Sequence, residues 1–258
     1  MKKLPLLLTI LCFVTFAFSQ EKVEKTSVFT SADTKGYISI KKIDLKNETG
    51  VTTTVQTTVN TSFNDEVLNF KLSTINDSDK MVSPSKLIFD GTIDSNMKPV
   101  NFTGSRIKKD NKNNSFWNFE GEFKEEMETD PDFFGYAKPR HIATLKIPER
   151  TIPTFNLWAI IPKLDFDRDG TFVFNSLDET KLYVKKNQTV NYLGKTKTSI
   201  NGESTVLHKF VHQGKGIQPA YFWVNDDREL VQVLLDGQFT FTLDRNYKPS
   251  SSVADSNN

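Results

Sequence analysis

Cysteine is almost absent from this sequence. Cys12 is the single cysteine among 258 residues, and it lies inside an apolar run from Leu6 to Phe18. Leu11 precedes it, whereas a lipoprotein signal needs a small residue at that place, so lipidation is not expected. The chain after this run cannot form a disulfide, a thiolate metal site or a cysteine nucleophile. A domain built from it must be held together by its hydrophobic core.

Histidine is scarce and the charges nearly cancel. Removing Lys2 and Lys3 from the 33 basic residues leaves 31 against 32 acidic residues, a net charge of −1. That balance excludes the electrostatic footprint of a protein that binds nucleic acid or an anionic membrane surface. His208 and His212 lie in a strand-like segment, about 13 Å apart at the usual rise, which is too far to share one metal ion. We find no nucleophile motif near His141 that would indicate a hydrolase.

Long apolar segments are missing beyond the N-terminal run. A short basic start, the apolar run and small residues ending at Ser19 predict a signal peptide over residues 1–19, cleaved after Ser19. The run is shorter than the roughly 20 residues of a membrane span, which favours a signal peptide over the alternative, an N-terminal membrane anchor. We therefore expect a periplasmic or secreted protein without a transmembrane segment after cleavage.

Period-two alternation dominates the rest of the chain and predicts β-strands. Turn residues separate the strands, as in Asn201-Gly202 and Asn225-Asp226-Asp227. Helical periodicity does not extend over any window of about 12 residues, and we allow short helical turns near 124–129 or 176–181. The alternating apolar positions include Val55 and Val59, Leu68 and Phe70, Leu87 and Phe89, Trp117 and Phe119, Leu145 and Ile147, Phe172 and Phe174, and Phe239 and Phe241.

The regular strand spacing predicts an all-β fold. We expect an antiparallel meander that forms a barrel or an open half-barrel with little or no helix, with a sandwich as the alternative. The 21 phenylalanines favour a large interior. The expected organisation is a flexible lead at 20–34, one β-rich domain at 35–245 and a disordered tail at 246–258. The stretch 124–150 either divides two subdomains or forms a loop within one sheet.

The aromatic residues are candidates for a ligand-binding groove, with a core role as the alternative. Phe133 and Phe134 differ from ordinary core residues because they follow an acidic run, Glu120 to Asp132. If any of the aromatic residues gate a cavity, we expect these two to do so. The acidic run itself either attracts cations or a basic partner or forms a solvated face. The full aromatic set is Trp117, Phe133, Phe134, Tyr136, Trp158, Tyr221 and Trp223.

A candidate calcium loop contains Asp165, Asp167 and Asp169, followed by Gly170. Alternating carboxylates supply hard oxygen ligands, and the glycine permits the sharp bend of such a loop. Ser176 stands at the twelfth position, where the loop would need a bidentate glutamate. An Asp-rich turn without metal is the alternative, and we predict no other cofactor.

The C-terminal segment resembles a known group of proteins. Pro219 to Val233 reads as a strand, a polar turn with Trp223 and Asp226 nearby, and a returning strand, followed by one more strand from Gln238 to Leu243. This pattern resembles the closing hairpin of bacterial envelope proteins of the lipoprotein-carrier superfamily and their uncharacterised relatives. The resemblance covers roughly residues 155–244. It implies an open antiparallel half-barrel with an apolar concavity that often binds acyl chains, mostly without catalysis.

Three functional hypotheses follow. The first is an exported β-protein that binds a lipid or other apolar ligand, or an envelope protein, without catalysis. The second is a hydrolase acting on envelope material through Asp or Glu residues such as Asp165, Asp167 and Asp169. The third is a structural adaptor with no ligand.

Overall fold

The computed structural model describes residues 21–34, 36–47, 50–63, 66–78, 80–93, 99–109, 114–122, 142–166, 170–179 and 182–247. No helix within these ranges has the length and apolarity needed to cross a membrane. One short helix, α1, spans Leu157–Ile160. The strands are β1 (Glu21–Thr30), β2 (Tyr37–Asn47), β3 (Gly50–Phe63), β4 (Glu66–Asn76), β5 (Lys86–Ile93), β6 (Pro99–Lys109), β7 (Asn114–Glu122), β8 (Ile142–Pro148), β9 (Thr151–Pro153), β10 (Thr171–Asp178), β11 (Tyr183–Ile200), β12 (Glu203–Gln213), β13 (Ala220–Val224), β14 (Leu230–Leu235) and β15 (Phe239–Leu243).

All fifteen strands belong to one sheet, in the order β8-β7-β6-β5-β4-β3-β2-β1-β15-β14-β13-β12-β11-β10-β9. Neighbouring strands are antiparallel, except that β9 and β10 are parallel. The two edge strands, β8 and β9, are consecutive in the chain and are joined by the two-residue turn Glu149–Arg150. A connection this short requires the sheet to curl until its edges meet, which gives a nearly closed barrel. The predicted all-β antiparallel meander is therefore confirmed.

Aromatic rings fill the barrel interior along one side. Phe70 stacks on Phe89 with ring centroids 4.7 Å apart, and Phe89 stacks on Phe102 at 5.1 Å. Phe119 continues the row with its ring centroid 6.0 Å from that of Phe102. The four residues come from β4, β5, β6 and β7 in turn, because alternate positions of each strand face inward. The row accounts for part of the phenylalanine content of the sequence.

A segment between β9 and β10 occupies the interior. This plug segment (residues 154–163) consists of α1 flanked by two short 3₁₀ turns. Its Trp158 ring lies 5.0 Å from Phe29 of β1 and 6.0 Å from Phe241 of β15, centroid to centroid. Asn156 is fully buried and exchanges hydrogen bonds with the Thr74 hydroxyl of β4. The plug thus connects β4 with β1 and β15 through side-chain contacts.

The short helical turn allowed near 176–181 does not form at residues 176–178, and residues 180 and 181 lie outside the described ranges. Ser176 belongs to β10, and the helical residues lie in the plug instead. A helix of four residues is too short for its periodicity to show in the sequence. The other allowed turn, at 124–129, lies outside the described residues.

The prediction of a flexible lead at 20–34 is wrong for its longer part. Residues 21–30 form β1, which pairs with β2 over its whole length and with β15 at Phe29 and Thr30. Pairing of the backbone with two neighbours orders this strand, although its sequence lacks an alternating apolar pattern. Tyr247, assigned to the disordered tail, packs on Tyr37 with ring centroids 5.1 Å apart. Residues 248–258 of the tail lie outside the described residues.

Candidate functional site

A cavity of about 340 Å³ lies at one open end of the barrel. The β4–β5 loop, the β8–β9 turn, the end of the plug and the start of β10 meet there. The volume lies at the lower end of the range typical of small-molecule sites. We call this cavity the mouth groove, and its walls are Lys80, Val82, Arg150, Ile160, Lys163, Leu164 and Phe172.

The mouth groove combines apolar walls with cations. Three of its seven lining residues are basic, four are apolar and none is a carboxylate. The Arg150 guanidinium carbon lies 5.7 Å from the centre of the Phe172 ring. Burial opposes the ionisation of Asp44, yet hydrogen bonds from Lys42 and Thr53 and the charges of Lys42 and Lys163 lower its pKa. Asp44 therefore lies within electrostatic reach of one groove lysine.

The turn that carries Arg150 is held on both sides. Arg150 has a left-handed backbone, φ 57°, and its N–H donates to the Ser83 hydroxyl at 2.8 Å. Its carbonyl accepts from the Asn175 N–H at 2.9 Å. The β4–β5 loop that supplies Ser83 is itself fixed by Arg106, which donates to Asp77 at 2.6 Å and to the Ser83 carbonyl at 3.3 Å. The basic end of the groove is therefore built on anchored backbone.

A second cavity, the recess, has a volume of about 300 Å³ and shares Leu164 and Phe172 with the mouth groove. Its other lining residues come from β10, β11, β12 and the loop before β10. The recess extends the apolar surface of the groove, and its charged lining residue is an acid, not a base. The residues that line the recess but not the mouth groove are Asp165, Gly170, Thr171, Val190, Tyr192 and Phe210.

A hydrogen-bonded chain of side chains lies behind the recess. The Tyr192 hydroxyl is 2.7 Å from His208 Nδ1, and His208 Nε2 is 2.8 Å from Asp226 Oδ1. Lys195 donates to the same Asp226 oxygen at 2.8 Å. Hydrogen bonds from Lys195 and then His208 lower the pKa of Asp226. Because this carboxylate accepts, neutral His208 carries its proton on Nε2 and accepts the Tyr192 O–H at Nδ1.

The same histidine positions the wall shared by the two cavities. The Phe166 ring stacks on His208 at a centroid distance of 4.2 Å. Arg228 covers the other side of Phe166 at 4.5 Å and donates to the Leu164 carbonyl at 3.0 Å. Residues 164–166 are thus held between β12 and the β13–β14 turn. This arrangement fixes the shape of the site.

Two buried titratable groups lie elsewhere in the interior. Glu179 is 1% exposed and accepts the Phe155 N–H at 2.9 Å, which anchors the start of the plug. Burial raises the pKa of Glu179 to about 8, although backbone hydrogen bonds oppose the rise. His212 is 4% exposed, and its Nε2 atom has no hydrogen-bond partner among the described residues. Burial, together with the charge of Lys185, lowers the pKa of His212 to about 4.

The aromatic candidates occupy different places. Trp158 lies in the plug, and Trp117 is 4% exposed and stacks on Phe119 with ring centroids 5.9 Å apart. Tyr221 and Trp223 lie on β13 beneath the Lys209 ammonium, 4.5 and 5.3 Å from their ring centres. None of these four lines the mouth groove or the recess. Their binding role stays a prediction, and Phe133, Phe134 and Tyr136 lie outside the described residues.

The predicted calcium loop is described in part. Asp165 is exposed and lines the recess, whereas Asp167 and Asp169 lie outside the described residues. Within the part of the chain that the structure describes, no three His, Cys, Asp or Glu side chains gather as metal ligands would. The calcium site stays a prediction.

The cations of the mouth groove escaped the sequence analysis. Lys80, Arg150 and Lys163 lie in three separate connections and form no motif. The sequence does contain a weak sign of this site, because two of these lysines lie near an apolar residue: Lys80 is two residues before Val82, and Lys163 precedes Leu164. Only the closure of the sheet brings these connections to one opening.

Comparisons with known proteins add little to this geometry. No protein-family model matches the chain, and no curated protein sequence matches it. A similar solved structure is the crystal structure of a β-barrel-like protein of a domain of unknown function, DUF1849, from Brucella abortus. The two chains share 11% sequence identity with a TM-score of 0.43, and the alignment covers 88% of this chain and 96% of that chain.

Proposed function

We propose that this protein is an exported binding protein that takes an anionic amphiphile, such as a fatty acid or a lipid with an acidic headgroup, into the mouth groove without catalysis. One observation carries the proposal: a cavity of about 340 Å³ at the barrel opening whose walls are four apolar residues and three cations. An apolar chain and an anionic head match these two kinds of wall.

The arrangement of charges gives the ligand an orientation. Lys80 and Arg150 lie at the mouth groove, whereas Asp165 lines the recess. An anionic head is attracted to the basic end and repelled from the acidic one, so the head occupies the groove and the chain extends toward Leu164 and Phe172. Burial of the chain contributes about 25 cal/mol per Å² of apolar surface, and charge-assisted hydrogen bonds add to it.

Two features of the sequence support the proposal. The basic start, the apolar run and the small residues ending at Ser19 favour export, and the N-terminal residue of the protein recovered outside the cytoplasm should then be Gln20. The closing hairpin around Trp223 resembles that of the lipoprotein-carrier superfamily, whose concave surfaces often bind acyl chains.

The experiment that tests the ligand compares a fluorescent polyene fatty acid with the alcohol of the same chain. We expect the wild-type protein to prefer the acid. The triple variant Lys80→Gln, Arg150→Gln, Lys163→Gln should lose at least about tenfold in affinity for the acid, because charge-assisted hydrogen bonds are removed. Its affinity for the alcohol should stay unchanged. The matched control replaces three exposed lysines with glutamine: Lys71, Lys186 and Lys197.

A second pair of variants tests the apolar wall. Phe172 lines both cavities, whereas the next residue, Val173, is 44% exposed. Phe172→Ser should weaken binding of both probes, and Val173→Ser should weaken neither. Equal affinity for acid and alcohol, or no binding of either, would contradict the proposal, and the second result would favour a structural adaptor.

A further inference from the structure

The outer edge of β1 is open over most of its length. β1 pairs with β2 at every position from Glu21 to Thr30, but its partners on β15 are limited to Leu243 and Thr242. The Asp244 N–H donates to the Val28 carbonyl at 2.8 Å, and the chain then turns away. Among the described residues, no strand pairs its backbone with residues 21–27 on this side. A cavity of about 530 Å³ beside Thr26, Ser27 and Val28 leaves room along the edge.

Period-two geometry determines which backbone groups face the open side. The Val28 carbonyl points toward β15, so the other even-numbered residues point their N–H and C=O the same way. These are Lys22, Glu24 and Thr26. The odd-numbered residues bond to β2. The edge therefore offers a row of backbone donors and acceptors to another strand.

The edge sequence is complementary to itself. Glu21-Lys22-Val23-Glu24-Lys25 can lie antiparallel to a second copy with Val23 opposite Val23. Glu21 then faces Lys25 of the other copy, and Lys22 faces Glu24, so every charged residue of the five meets its opposite. Lys22 and Glu24 are both outward-bonding residues, so the backbone hydrogen bonds fit this register as well.

Neighbouring registers are excluded by charge. The hydrogen-bonding pattern allows shifts that keep even residues opposite even residues. One such shift places Glu24 opposite Glu24, and the shift in the other direction places Lys22 opposite Lys22. Like charges directly opposite each other destabilise a strand pair, so charge selects the register centred on Val23.

The side chains are available for such pairing. Val23 is 45% exposed, and the side chains of Lys22 and Lys25 are 57% and 62% exposed. Within the same chain Glu24 lies 3.0 Å from Lys22 and 2.5 Å from Lys41. Glu21 lies 3.2 Å from Lys46, and Lys25 lies 3.7 Å from Glu229. Exposed ion pairs contribute little to stability, so they can be exchanged for pairs between copies at small cost.

We propose that two copies of this protein associate through their β1 edges. The partner is a second copy of the chain, related by a two-fold axis that passes between the two Val23 residues, and the two sheets become continuous. The edge does not include the mouth groove, so this inference is independent of the proposed ligand. The interface is short, and we expect a reversible dimer that forms at high concentration and weakens as salt screens its ion pairs.

Sedimentation equilibrium with charge-exchanged variants tests the proposal. Wild-type protein at low salt should show a monomer–dimer equilibrium as its concentration approaches the millimolar range. One double variant carries Lys22→Glu with Lys25→Glu, and the other carries Glu21→Lys with Glu24→Lys. Each should remain monomeric, because its edge carries charges of one sign only. An equimolar mixture of the two should form a heterodimer. Circular dichroism and thermal unfolding of each variant establish that it is folded.

Amide hydrogen exchange supplies a second measurement. The amides of Lys22 and Glu24 should become protected as concentration rises, whereas those of Val23 and Lys25, already bonded toward β2, should not change. A wild-type monomer at all concentrations would overturn the proposal, as would single variants that dimerise like the wild type or a mixture that stays monomeric. Protection of Lys22 and Glu24 at every concentration would also overturn it, because another part of the same chain would then cover the edge.

Discussion

Glu179 is a carboxylic acid buried in the barrel interior, so its ionisation affects the stability of the fold. Its pKa rises from 4.5 to about 8 because burial disfavours the charged form. Between those values the folded state binds a proton that the unfolded chain releases, so stability falls as pH rises through this window. His212 acts in the opposite sense at lower pH. Its pKa drops from 6.5 to about 4, so its contribution makes stability rise with pH over that interval. Of these two groups, Glu179 is the one that still affects stability above pH 6.5.

The variant Glu179→Gln tests this linkage. Glutamine keeps an oxygen that can accept the Phe155 N–H but cannot ionise. Between about pH 6.5 and 9 the wild type should lose on the order of 2 kcal/mol of unfolding free energy that the variant retains. Urea unfolding across this range measures the difference. Glu203→Gln, at an exposed position, is the control and should follow the wild type. Parallel pH profiles for Glu179→Gln and the wild type would show that the carboxyl group is already ionised in the folded protein.

At the scale of elements, the plug segment is the part of the fold that joins separate strands through side chains. Trp158 is 4% exposed and contacts rings from both β1 and β15. Trp158→Ala should therefore destabilise the protein by about 3–5 kcal/mol, measured by urea unfolding. Tyr221→Ala, on the half-buried side of β13, removes another aromatic ring and should cost much less. Loss of probe binding by Trp158→Ala without loss of stability would instead favour the binding role predicted for this residue from the sequence.

Most of the strands were predictable because they alternate apolar and polar residues, and this alternation indicates which face is buried. Val55 and Val59 of β3 and Phe70 of β4 are fully or almost fully buried, as their positions in the alternation require. β1 has no such alternation. Its residues 21–26 are exposed, and it is a strand because β2 supplies hydrogen bonds along its whole length. The sequence of β1 gives little indication of a strand, because the hydrogen bonds that stabilise it come from β2.

The candidate site could not be predicted for a related reason. Lys80, Arg150 and Lys163 are brought together by closure of the sheet, which depends on how β8 and β9 meet across the Glu149–Arg150 turn. Closure is a property of all fifteen strands, and local patterns do not contain it. Trp117 and Trp158 are each 4% exposed, and the sequence pattern alone does not distinguish an aromatic residue that packs in the interior from one that lines a groove.

At the scale of the whole molecule, the described strands form two consecutive meanders within one sheet. β1 to β8 form the first and β9 to β15 the second. They meet at the seam between β1 and β15, where two residue pairs, Phe29 with Leu243 and Thr30 with Thr242, join the strands. By contrast, β3 and β4 are paired at eleven positions. The seam is therefore the place where the sheet has least backbone pairing to hold its halves together.

A disulfide across the seam tests whether this junction limits stability. Thr30 and Thr242 lie directly opposite each other, and both are partly exposed. Thr30→Cys with Thr242→Cys should raise the unfolding free energy by about 3–5 kcal/mol under oxidising conditions, because the bridge closes a very long loop and fixes the weakly paired junction. The control, Thr58→Cys with Lys71→Cys, bridges opposite residues of the extensively paired β3 and β4 within a short loop and should add less. Unfolding of each variant with and without reductant measures the contribution. If the control bridge stabilises the protein as much as the seam bridge does, the two meanders already unfold as one unit and the seam is not its weak point.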